Sequence, residues 1–141
     1  MLDITLEIYE NDWNNIKSTS EIYNDDLRAL LKLNDNSSNR KENMLVYINE
    51  LYIELVKWLS NNFDNDFIEF YYTDPVEFED YLEIKTQDNK IHIDMPGNKF
   101  FVEKSEALAF GEKLLSLIEE MFSTKGEEGI RYFNLLKESV K

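Results

Sequence analysis

Two dipeptides, Asp88-Asn89 and Pro96-Gly97, leave little freedom in how the segments around them pair. Asp-Asn accepts the left-handed backbone of a two-residue hairpin turn. With Asp88-Asn89 as that turn, Leu82 faces Met95, Ile84 faces Ile93 and Thr86 faces Ile91, all on one side. Pro-Gly favours a type II turn, which can introduce a bulge. With Pro96-Gly97 as the second turn, Ile93 faces Phe100 and Ile91 faces Val102 on that same side. On the opposite side Asp94 meets Lys99 and Lys90 meets Glu103. Two independent turns give one apolar face and complementary charges, so Phe67–Glu103 reads as an antiparallel meander. Its first strand, Phe67–Thr73, turns Ile68, Phe70 and Tyr72 inward by period-two alternation.

The second strong signal is Met44–Leu59, MLVYINELYIELVKWL, in which every residue except Asn49, Glu50, Glu54 and Lys57 is apolar or aromatic. At about 100° per residue Glu50, Glu54 and Lys57 share a narrow stripe with Asn61, so a helix here is covered on most sides. Asn39-x-x-Glu42 has capping-box spacing and Ser60-Asn61-Asn62 ends the run, which predicts a central helix over the whole stretch.

Leu2–Tyr9 alternates as a half-buried strand, and Asn11–Ser20 reads as loop with Trp13 and Ile16 dipping inward. Asn24 or Asp25 is placed to cap a short helix through Leu33, with Leu27, Leu30 and Leu31 inward. A polar loop, Asn34–Asn39, follows. After the meander, Ser105 is the expected cap of a helix Glu106–Ser123 with Leu108, Leu114, Leu115, Ile118, Met121 and Phe122 on its apolar face. Gly126 stops it, and Glu128–Val140 forms the last helix with Ile130, Phe133 and Leu136 inward. The expected fold is α+β in one domain, 1–141. It combines an antiparallel sheet of four to five strands, the meander plus the N-terminal strand, with helices on one face.

Composition narrows the function. The 29 acids outnumber 15 bases, a net charge of −14, which argues against nucleic acid and anionic membranes as partners and favours basic ones. There is no cysteine, which excludes disulfides and thiolate chemistry. MLDITLEIYE lacks a basic n-region and an apolar h-region, and no apolar run reaches spanning length, so the expected location is cytoplasmic. Richness in Asn, Ile, Lys and Tyr points to an AT-rich bacterial genome.

Catalytic equipment is sparse, and the chain reads as no enzyme and without a cofactor. The single histidine, His92, lies mid-strand beside Lys85 and Phe101 and reads as a partly exposed surface residue with no serine nucleophile near it. Asp64-Asn65-Asp66 and Asp35-Asn36-Ser37 resemble the start of a calcium loop but lack its glycine and terminal glutamate. The register sets Glu83 opposite Asp94, and such a pair raises one pKa, as acid–base enzymes require. An enzyme reading would use these two carboxylates with His92 and a divalent cation. Lys99 beside Asp94 makes an ordinary charge ladder the simpler reading.

The densest signal is Trp58–Ile84, a stretch with no Lys or Arg in which acids and aromatics are interleaved in equal number. Parity puts Glu69, Tyr71, Tyr81 and Glu83 on the outer face of the sheet with Phe101. Aromatic anchors among steering carboxylates suit protein binding, and the candidate partner-binding residues are Glu69, Tyr71, Asp74, Glu77, Glu79, Asp80, Tyr81 and Glu83. In overall character the chain resembles small acidic bacterial toxin-immunity and inhibitor proteins. That resemblance implies stoichiometric occlusion of a basic protein: Glu69, Glu83 and the Asp74–Asp80 loop pair with its Lys and Arg, and Tyr71 and Tyr81 pack into its cleft. The competing reading is an adaptor subunit whose outer sheet face makes a homodimer, so monomer and homodimer are both open.

Overall fold

The computed structural model describes residues 2–61 and 68–140. Over these the chain runs β1 (Leu2–Ile8), α1 (Glu10–Ile16), β2 (Arg28–Asp35), β3 (Arg40–Tyr47), α2 (Ile48–Leu59), β4 (Glu69–Thr73), β5 (Tyr81–Gln87), β6 (Lys90–Met95), β7 (Asn98–Val102), α3 (Lys104–Ser123) and α4 (Gly126–Ser139). The fold is α+β. Its strands form two antiparallel sheets, β1-β2-β3 and β4-β5-β6-β7, so the N-terminal strand does not join the meander as expected.

The meander pairs as its turns dictate. Glu83 is opposite Asp94, Ile84 opposite Ile93, Thr86 opposite Ile91, Ile93 opposite Phe100, Ile91 opposite Val102 and Asp94 opposite Lys99. Asp88 and Asn89 both have positive φ, the doubly left-handed geometry whose twist matches a hairpin. Gly97, also at positive φ, supplies the one left-handed residue a type II turn needs, and Met95 pairs directly with Asn98 without a bulge. Phe70, Tyr72, Leu82, Ile84, Ile93 and Phe100 are buried on the inner face, and Ile68 is buried just before β4. Phe67, Asn62 and the Asp64-Asn65-Asp66 triplet lie outside the described residues.

Two expected helices are corrected. Arg28–Asp35 is a strand, with Ala29, Leu31 and Leu33 buried while Leu30 turns to the other face. LRALLKL satisfies both periods, and pairing with β1 on one side and β3 on the other selects period two. The expected central helix starts only at Ile48. Met44–Tyr47 complete β3, and Asn39 is a left-handed turn residue, not a cap. At its far end Ser60 is the C-cap, as read.

Most of α1 falls in the expected loop Asn11–Ser20, anchored by buried Trp13, whose ring packs 6.1 Å from Phe122 and 5.7 Å from Tyr132. α3 begins at Lys104, ahead of its expected start. Glu103, not Ser105, caps it, with Glu106 Oε1 accepting the Glu103 N–H at 3.4 Å. Leu114, Ile118, Met121 and Phe122 are buried, and Leu108 and Leu115 are partly buried. In α4 Phe133 and Leu136 face inward, but Ile130 is exposed. Tyr132 takes the inward place on the face of α4 that carries Phe133 and Leu136, its ring 5.3 Å from Phe122, and Asn49 Nδ2 donates to its hydroxyl at 2.7 Å.

α3 packs on α2, α4, β1 and β6, so it meets both sheets, and buried residues of all these elements form one cluster. Strand β3 is fastened to the meander. The Tyr47 N–H donates to Tyr72 Oη at 2.8 Å, Arg40 Nη1 donates to the Lys99 carbonyl at 2.9 Å, and Asn98 Nδ2 donates to Glu42. Among the described residues no helix is long and apolar enough to cross a membrane.

Candidate protein-binding surface

The connection from β4 to β5, residues 74–80, is built on Asp74. Its N–H donates to the Asp80 carbonyl at 2.8 Å and closes the loop across its neck. Its carboxylate then folds back, with Oδ1 accepting the Val76 N–H at 2.8 Å and the Glu77 N–H at 3.3 Å. The Asp74 carbonyl accepts the Phe78 N–H at 3.2 Å. Asp74 is 8% exposed, so among the candidate carboxylates it is the one whose side chain organises the loop.

The product of this clamp is Phe78. It is 72% exposed. Its backbone has positive φ, a left-handed conformation that costs a bulky L residue about 1–2 kcal/mol. A large apolar side chain is thus held in water on a strained backbone, the combination that marks recognition sites. Val76, 48% exposed, lies two residues away on the same loop, and Tyr71, 50% exposed, projects from β4. Glu77 and Glu79 flank Phe78 and are exposed. Asp80 is partly buried, and burial followed by the charges of Asp74, Glu79 and Glu42 raises its carboxyl above the usual range. Glu42 comes from β3 and extends the acidic rim across to the first sheet.

Of the candidate residues, Glu77, Glu79 and Asp80 share the Phe78 loop. Glu69, Tyr71, Tyr81 and Glu83 have the outer-face parity expected of them. That face is less acidic than the composition suggests. Across the strands one row reads Glu69, Lys85, His92, Phe101 and the next Tyr71, Glu83, Asp94, Lys99. Lys85 Nζ lies 3.1 Å from Glu83 Oε1, which makes Glu83 half of an ion pair. Tyr81 is held protonated to higher pH by burial and by the neighbouring charges of Asp94 and Glu83. The loop, with Asp74, Glu77, Glu79 and Asp80 and no base, is therefore more acidic than this sheet face.

Phe78 and Val76 are exposed apolar residues of this loop that sequence reasoning left out of the candidate set. Their signal was present: in Asp74-Pro75-Val76-Glu77-Phe78-Glu79-Asp80 neither apolar residue belongs to a helix or strand period, so nothing takes them into the core.

His92 corrects another expectation. It is 1% exposed, with Nε2 2.9 Å from Gln87 Oε1, Nδ1 without a hydrogen-bond partner, and the Phe101 ring 6.2 Å away. Burial, reinforced by the Lys99 charge, lowers its pKa. Gln87 accepts from Nε2–H, and the covered ring stays neutral. Asp35 is likewise engaged. Its carboxylate accepts the Ser37 N–H at 3.1 Å and the Ser38 hydroxyl at 2.7 Å, closing the β2–β3 turn.

Compared with known proteins, the chain matches no family model, no curated protein and no solved structure.

Proposed function

We propose that this protein is a stoichiometric inhibitor that binds a basic protein, of the immunity class that neutralises a bacterial toxin or effector. The observation that carries the reading is Phe78: an exposed aromatic, fixed in a strained conformation by Asp74, with Glu77, Glu79 and Asp80 on its loop and Glu42 beyond them. A rigid aromatic anchor loses little entropy on docking, and the exposed carboxylates beside it steer a cationic surface toward it. Tyr71 extends the apolar contact, and the Glu69 edge of the meander extends the charge. Inhibition follows by occlusion, because a partner whose basic active cleft receives Phe78 cannot also receive an anionic substrate. Self-association through this loop is disfavoured, since two chains of net charge −14 would oppose like-charged rims.

The test is capture from lysate and secreted fractions of the source organism with wild type and a Phe78→Asn/Glu79→Lys variant as baits. A single basic protein held by wild type, released by salt and lost by the variant is the expected result. Its expression alone should arrest growth, and wild-type co-expression should relieve the arrest. Equal retention by both baits, or growth arrest that co-expression does not relieve, overturns the reading.

A further inference from the structure

The two edges of the three-stranded sheet are treated differently. The Tyr9 N–H donates to the Arg28 carbonyl at 2.9 Å, which continues the β1–β2 register by one pair. In an antiparallel ladder such pairs recur every second residue, so the backbone groups of Asp3, Thr5 and Glu7 point toward β2. Those of Leu2, Ile4, Leu6 and Ile8 then point to the open side. At the opposite edge the outward N–H of Tyr47 is taken by Tyr72 Oη, and the β2–β3 hairpin tip is fixed to β7. Among the described residues no strand pairs with the outer edge of β1.

What runs beside that edge is a groove. One part, about 910 Å³, is lined by the consecutive residues Leu2–Thr5 and by Glu106, Ala109, Phe110 and Lys113 of α3. A second part continues from Thr5, Leu6 and Ile8 toward Leu117, Glu120 and Lys125. Consecutive residues of both parities lining one cavity means that the strand's backbone edge is its wall. The other wall is one helical face, spaced i, i+3, i+4, i+7.

We infer that this groove binds an extended peptide segment of a partner by strand addition to β1, with the added strand running along the outer edge of β1 and turning one face toward α3. A strand edge with free donors and acceptors beside a helix is the arrangement in which main-chain hydrogen bonds give affinity and alternate side chains give selectivity. β1 spans seven residues, so about seven partner residues fit. The favoured sequence alternates apolar residues toward α3 with Lys or Arg toward the solvent. The carboxylates on that solvent side of β1 are Asp3 and Glu7, alternate to the inward Ile4, and Glu7 shares its charge with Lys32 of β2 at 3.0 Å. A second copy of this chain is the wrong occupant, because β1–β1 pairing would juxtapose Asp3 and Glu7 with acidic counterparts in a complex of two chains of net charge −14. The site is independent of the Phe78 loop, which adjoins β3 at the other edge of the sheet.

The probe is acetyl-Lys-Val-Lys-Val-Lys-Val-Lys amide, with an analogue N-methylated at its three valines as control. Both carry the same charge, but only the first can complete the ladder on β1 with its valines toward α3. The expected result is saturable binding with amide shifts at Ile4, Leu6 and Ile8, weakened about tenfold or more by N-methylation, as loss of two or three hydrogen bonds requires. Leu6→Pro, which removes an outward N–H and none of the β2 ladder, should weaken binding similarly while circular dichroism stays native. Equal binding of both peptides, shifts confined to residues 74–80, or no binding by the folded protein would each overturn the inference. Shifts confined to residues 74–80 would place the basic peptide on the Phe78 loop instead, and the other two outcomes leave the Phe78 reading untouched, since its variant leaves β1 intact.

Discussion

Gly111 sits where α3 crosses Trp58 of α2, and Gly111→Ala tests how tightly these helices fit. A Cβ there would lie 2.4 Å from Trp58 Cζ3 and 3.2 Å from Cε3. Carbon atoms prefer separations of about 3.5–4.0 Å, so the new methyl overlaps the indole by more than about 1 Å. Trp58 cannot swing away freely, because it is 4% exposed and its ring is backed by Phe70 at 5.2 Å. Overpacking of this kind costs about 1–3 kcal/mol, and an overlap this deep belongs at the upper end. Helix propensity alone works the other way and favours alanine by about 1 kcal/mol. The net expectation is a loss of about 2 kcal/mol, which for a chain of this length lowers Tm by roughly 6 °C. Urea unfolding followed by tryptophan fluorescence measures it. Trp58→Phe removes the offending ring atoms, so in that background Gly111→Ala should be neutral or stabilising, a coupling of about 2 kcal/mol or more. A Gly111→Ala protein with unchanged or raised Tm would refute the packing argument.

Phe78→Asn should leave stability nearly unchanged, since asparagine accepts left-handed φ, yet weaken partner binding about 30-fold or more, as loss of a hot-spot anchor of about 2 kcal/mol implies. Titration calorimetry against the captured partner decides it. Because His92 has a lowered pKa when folded, the unfolded chain binds more protons just below neutrality. Stability is therefore full above about pH 6.5 and falls as the pH drops below that value. His92→Gln should flatten that step in urea midpoints measured from about pH 7.5 down to about pH 5, whereas an unchanged slope would reassign it to other groups. Asn49 is 1% exposed, and its Nδ2 donates to Tyr132 Oη and to the Tyr23 carbonyl at 2.7 and 2.8 Å. Asn49→Leu should cost about 1–3 kcal/mol by orphaning both acceptors, and adding Tyr132→Phe should recover part of it, as read from urea midpoints.

The sequence was most legible where local chemistry fixes long-range pairing. Asp88-Asn89 and Pro96-Gly97 each set a register, and the two registers agreed, so the whole meander and its opposed Glu83–Asp94 pair could be read. It was least legible where two periods fit one segment. Leu27, Leu30 and Leu31 suit a helix, while Ala29, Leu31 and Leu33 suit a strand. What decides between them is pairing with β3 and with β1, which lies far upstream in the chain. Met44–Tyr47 was absorbed into a helix for the same reason: an unbroken apolar run carries no period. His92 was misjudged because parity places it on the outer face but cannot register that neighbouring side chains close over it. At the site, charge density pointed to residues 74–80, but not to the roles within them. That Asp74 commits its carboxylate to Val76 and Glu77, and that Phe78 faces water, depend on loop hydrogen bonds with no linear signature.

The stitch from Tyr72 to the Tyr47 amide also bears on how this molecule can associate. Open sheets polymerise when both edges are available, because each added strand offers a fresh edge to the next. Here the last outward amide of β3, the Tyr47 N–H, is taken by Tyr72 Oη of the meander, so a head-to-tail fibre that pairs β1 of one copy with β3 of the next has to break that bond. Pairing of two β1 edges breaks nothing and uses up both, so growth through them stops at a discrete pair.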